Sequence, residues 1–100
     1  MKSAERRWSA VCSSLAPGEA THWHRDSYDR VSVILYGEQL TIGFREGSPS
    51  HVVQVGPGQV DWDNPGERIH RAVNTGGGMY EELVVFFLDR PDAVPQPAVD

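Results

Sequence analysis

The sequence predicts an all-β domain, a sandwich or a barrel, on three observations. Apolar and β-branched residues fall in eight short runs, Gly- and Pro-containing turns separate most of them, and no stretch sustains a helical period. The first run, Trp8 to Leu15, stops at Pro17-Gly18, and a second spans Ala20 to Arg25. Arg30 to Tyr36 ends at Gly37-Glu38, Gln39 to Phe44 at Gly47-Ser48-Pro49, and His51 to Val55 at Gly56-Pro57-Gly58. Gln59 to Trp62 ends at Asn64-Pro65-Gly66, Ile69 to Asn74 at Gly76-Gly77-Gly78, and Glu82 to Leu88 is the last. Each break places glycine or proline where a turn needs a positive φ or a preset one.

The 100 residues, 39% of them apolar, suit one domain over residues 1–90. Prolines at 91, 95 and 97 cannot donate to a β-ladder, so residues 91–100 read as a tail. A domain this small gains from a second subunit, and a homodimer is expected. The net charge of −5, with nine scattered basic residues, speaks against nucleic-acid and membrane partners and leaves a small molecule as the expected one. No run approaches the ~20 apolar residues that cross a bilayer. Cys12 is the only cysteine; it reads as a small buried apolar residue, and a chain without an internal disulfide suits the reducing cytoplasm.

The informative residues are His24-Arg25-Asp26 and the distant His70. Gly18 is followed by five residues, His24-x-Asp26, three residues, Arg30, six residues and Gly37. Pro65, four residues, His70, three residues and Asn74 follow later in the chain. These spacings resemble the two motifs of the cupins, and the wording Trp23-His24-Arg25-Asp26-Ser27-Tyr28-Asp29 is similar to that of short single-domain members. The chain departs from the motifs in four ways: Asp26 stands for the second histidine, Arg30 for glutamate and Glu67 for glycine, and Gly58 lies one residue too far from Pro65. The resemblance implies a jelly-roll barrel, or double-stranded β-helix, with a divalent-metal site inside.

A second register pairs His22 with His24 and uses Asp29 as the acid. Strand alternation puts Val31, Val33 and Leu35 on the side of Asp29, and Ser32, Ile34 and Tyr36 on the side of Arg30. If the more apolar side lines the barrel, the second register holds; if that side packs against a second subunit, the first does.

On the first register His24, Asp26 and His70, with His22 at the rim, are the expected metal ligands. Two imidazoles and a carboxylate suit Fe, Mn, Ni or Zn and leave positions open for oxygen or substrate. Arg30, His24 and His70 are the expected catalytic groups, Arg30 as a carboxylate clamp, and Tyr36, Trp62 and Asn74 the expected pocket wall, with Tyr28 and Asp61 as weaker candidates. The chemistry implied is a metal-dependent oxygenase, dioxygenase-like, or an isomerase or lyase, on a small polar or carboxylated substrate. The alternative is a metal-free barrel that binds a small ligand and in which an Asp26–Arg30 pair replaces the ion. No nucleophile-elbow or P-loop pattern is present.

Overall fold

A computed structural model of the chain describes residues 7–88. The expected tail at 91–100 lies outside them. Among the described residues seven strands form, in the order β1 (Trp8–Leu15), β2 (Asp29–Tyr36), β3 (Gln39–Phe44), β4 (His51–Gln54), β5 (Val60–Asp63), β6 (His70–Asn74) and β7 (Tyr80–Phe87). They make two antiparallel sheets, β1-β7-β2-β5 and β4-β3-β6, folded over one another. Leu15, Ile34, Leu40 and Tyr80 form the buried core between the sheets, with Ile42, Val55 and Ala72 packed against it.

The eighth expected strand, Ala20 to Arg25, is not continuous. It lies along β6 and touches it at two bridges, Ala20↔Val73 and His24↔His70. Three residues separate the bridges on one side and two on the other, the signature of a β-bulge. Before the bulge Thr21 donates its N–H to the Ala72 carbonyl, and its hydroxyl accepts the Ala72 N–H. The extra residue falls at His22-Trp23, both exposed, and the chain returns to register at His24.

Alternation in β2 settles which side faces in. Ser32 and Ile34 are buried, and Arg30 shares their side, so the less apolar face lines the barrel. Val31 and Val33 face outward among Val60, Trp62, Leu83 and Val85. Cys12, expected to be buried, belongs to this outer face and is exposed, because β1 is an edge strand.

Gly37, between β2 and β3, has φ +155, and a Cβ added there would stand 2.7 Å from the Tyr80 ring. Tyr80 is a core residue and cannot swing aside. Gly37→Ala is expected to lower stability by about 1–3 kcal/mol through strain and overpacking. Denaturant unfolding of the two proteins checks this, and equal midpoints would contradict it.

Candidate metal centre and its cavity

The bridge at His24 and His70 builds the site. Each residue's N–H donates to the other's carbonyl, at 2.9 and 2.8 Å, which makes them a hydrogen-bonded antiparallel pair with side chains on one side. Their ring centroids are 4.7 Å apart. The Asp26 side chain comes up beneath both rings: Oδ1 lies 3.7 Å from His24 Nε2 and Oδ2 lies 3.4 Å from His70 Nε2. The three residues offer ligand atoms that all lie within 4.8 Å of one another, and all three are partly buried.

Both imidazoles are anchored by their other nitrogen. Nδ1 of His24 donates to the carbonyl of His22 at 2.7 Å, and Nδ1 of His70 donates to that of Arg68 at 3.0 Å. A backbone carbonyl can only accept, so each Nδ1 carries a proton and each ring turns its Nε2 toward Asp26. Two Nε2 atoms and a carboxylate that face each other are matched by a positive charge between them, a metal ion or protons on the rings. A divalent ion fits this donor set, and carbonyl anchoring of the far nitrogen is the outer support that metal-bound histidines use.

Arg30 supplies a competing positive charge. Its Nη2 is 3.3 Å from Asp26 Oδ2 and 3.6 Å from Asp63 Oδ2. Its Nε is buried and has no hydrogen-bond partner among the described residues. One nitrogen of the guanidinium is thus shared by two carboxylates, while the group lines the cavity with its Nε unpartnered.

The cavity beside this centre has a volume of about 450 Å³, within the ordinary range of small-molecule sites. One wall is aliphatic, with Ile34, Leu40, Ile42, Val53 and Val55. The other is polar, built by the inward residues of β2, β5 and β7, where Ser32 lies opposite Asp61, Arg30 opposite Asp63 and Ile34 opposite Glu82. Gln59 donates to Asp61 at 3.0 Å, and the Tyr80 hydroxyl donates to Glu82 at 2.5 Å. Burial, reinforced by that bond to the Glu82 carboxylate, pushes the Tyr80 phenol well above the usual tyrosine range, so it stays a donor.

Four expectations need correction. His22 is exposed and stands outside the cluster, because the bulge breaks the alternation that would have put it beside His24. The register through Asp29 fails with it, since Asp29 lies on the outward side of β2, opposite Phe87. Tyr36 is 61% exposed at the end of β2 and does not line the cavity, whereas Trp62 does, although its ring, 69% exposed, also stacks on Phe87 at 5.6 Å. Asn74 is fully buried but faces backbone: its amide donates to the Leu15 and Gly78 carbonyls and accepts from the Gly76 N–H. Of the weaker candidates Asp61 lines the cavity, while Tyr28 is exposed.

The groups missed from sequence are Glu82, Tyr80, Gln59 and Asp63. Glu82 reads as a solvated residue at the start of a strand. Tyr80-x-Glu82-x-Val84 is a period-two pattern, however, and the buried Val84 and Tyr80 fix the side of Glu82. Gln59, Asp61 and Asp63 alternate in the same way along β5.

No protein-family model matches the sequence, and no curated protein is similar to it. Among solved structures, a cupin domain from Bordetella pertussis Tohama I superposes with a TM-score of 0.72 at 23% identity, covering 86% of each chain. A cupin-superfamily protein from Desulfitobacterium hafniense DCB-2 gives 0.60 at 23% identity, covering 87% of this chain and 72% of that one. A Cupin 2 conserved barrel protein from Salinispora arenicola CNS-205 gives 0.60 at 15%, covering 87% and 68%. The fold is the cupin fold. Within it, the donor set described above is one that can hold a metal ion.

Two tests follow. Asn74→Ala strands two carbonyls and an N–H inside the protein and is expected to cost about 2–4 kcal/mol while leaving the affinity of the centre for metal unchanged; a large loss of metal affinity would contradict the structural role. The raised Tyr80 phenol means that the folded state prefers the protonated form. Its contribution to stability is complete below the ordinary tyrosine value of 10.0 and is lost as pH rises above it. Tyr80→Phe is expected to remove part of the alkaline loss of stability between pH about 9 and 11, read by denaturant unfolding at each pH; an unchanged slope would contradict the assignment.

Proposed function

We propose that this chain is a divalent-metal-dependent enzyme that acts on a small polar substrate bound in the cavity beside His24, Asp26 and His70. The observation that carries the reading is the pair of Nδ1 anchors, which aim both Nε2 atoms at one carboxylate. When bound, the ion would supply Lewis-acid polarisation of a substrate oxygen. His24, Asp26 and His70 would hold it, and Arg30 would share Asp26 Oδ2, the oxygen that also faces His70. Glu82 and Asp61 stand in the same cavity as groups able to carry a proton. That favours proton-transfer chemistry of the isomerase or lyase type over the oxygenase type.

Neighbours in fold bear names that agree with enzyme chemistry without choosing a reaction. They include a sugar phosphate isomerase from Silicibacter pomeroyi, a polyketide cyclase from Streptomyces resistomycificus, a predicted oxalate decarboxylase from Thermotoga maritima and an oxalate oxidase. This chain covers less than two thirds of each of the four.

The Arg30 contacts favour a second reading, a metal-free ligand-binding barrel in which Arg30 supplies the positive charge. Thermal melting separates the two. A divalent ion at one hundred times its dissociation constant adds about 2.7 kcal/mol, which for a domain of this size raises Tm by roughly 10–20 °C. On the metal reading, EDTA removes that increment, and His70→Ala abolishes stoichiometric metal in elemental analysis. On the metal-free reading Tm is indifferent to EDTA and Asp26→Ala costs about 3–5 kcal/mol.

A further inference from the structure

The walls of the cavity carry information about the charge of what enters it. Four carboxylates line it, Asp26, Asp61, Asp63 and Glu82, against one guanidinium, that of Arg30. With neutral imidazoles, negative charges outnumber positive ones by three. A divalent ion on His24, Asp26 and His70 reduces the excess to one without reversing it. The charge of Arg30 is already balanced by Asp26 and Asp63, both of which its Nη2 contacts, although its Nε keeps an unused donor. At an effective dielectric of about 20, each carboxylate would repel an anion ~7 Å away by roughly 2 kcal/mol.

The same walls are well made for hydroxyl groups. Asp61 and Glu82 each receive one hydrogen bond from inside the protein, from Gln59 and Tyr80, which fixes their orientation. A carboxylate has about four lone-pair sites, so each keeps acceptor positions for donors on a ligand. Ser32, buried opposite Asp61 on the same wall, offers a group that both donates and accepts. The aliphatic side, from Ile34 to Val55, offers no polar contact and fits the C–H face of a carbon ring or chain.

From this arrangement, and resting on the reading that this cavity is the substrate site, we infer that the substrate is a neutral polyhydroxylated compound, of the sugar or polyol class, and not a carboxylic acid. Its hydroxyls would donate to Asp61 and Glu82, and its carbon face would lie against Ile34, Ile42 and Val55. This replaces the carboxylated substrate that the sequence suggests through Arg30.

The test uses ligand-observed NMR on the full chain, loaded with Mn or Zn as elemental analysis directs. One pool holds neutral aldoses, ketoses, alditols and inositols. The other holds the matching aldonic and uronic acids together with glycolate. At least one neutral compound is expected to bind, with its matching acid at least about tenfold weaker. Asp61→Asn and Glu82→Gln should each weaken the neutral ligand about tenfold, at the scale of one lost hydrogen bond to a charged group. The double variant D61N/E82Q should bind the acid more tightly than the native chain does, a gain that misfolding cannot produce. Preferential binding of acids, no binding by any neutral compound, or an affinity indifferent to both substitutions would overturn the inference. Metal content measured on the same samples keeps the two ideas apart. A metal-loaded protein that prefers acids sinks only the substrate class, while a protein that takes up no metal sinks only the metal reading.

Discussion

The site depends on one backbone constraint, the reciprocal pair of hydrogen bonds between His24 and His70. An antiparallel pair of this kind holds two residues opposite each other and projects both side chains to one side of the sheet. Without it the segment before β2 has no continuous ladder to fix its position, because only two bridges and their bulge hold it to β6. The bulge aims the segment. By spending one residue at His22-Trp23 it turns His24 inward and brings Asp26 beneath both rings, four residues before Arg30. Bulges re-aim side chains in this way near functional sites.

Electrostatics then sets what the centre tolerates. The backbone carbonyls of His22 and Arg68 place a proton on each Nδ1, so both Nε2 atoms meet a carboxylate, an arrangement that suits a cation between them. Arg30 meets part of the need from one side while it also compensates Asp63. Further along the wall, Tyr80 and Gln59 hold Glu82 and Asp61 in place. Tyr80 links these levels. Its ring belongs to the core beside Leu15, Ile34 and Leu40, while its hydroxyl belongs to the cavity.

The strands were legible because turn chemistry is local: seven of the eight expected runs match strands to within two residues, with Gly and Pro at their ends. The run at Ala20 to Arg25 failed as a strand because a bulge is a property of pairing with β6 and leaves no mark in hydrophobic period. His22 was misassigned for the same reason. The meeting of His24, Asp26 and His70 was visible through spacing, although their convergence is a tertiary fact. The inward face of β2 could not be chosen from sequence, since both of its faces carry apolar residues and the more apolar one points out. Asn74 was mistaken for a pocket residue because a buried amide looks the same in sequence whether it serves a ligand or, as here, three backbone groups of neighbouring turns.

The central claim is that His24 and His70 present Nε2 lone pairs to a shared cation. Long-range ¹H–¹⁵N correlation of the imidazole nitrogens, recorded near neutral pH before and after addition of Zn, reads this directly. Both rings are expected as the Nδ1–H tautomer, with the two Nε2 resonances moving together at one equivalent of Zn. Nε2–H tautomers, or spectra that Zn leaves unchanged, would contradict the account.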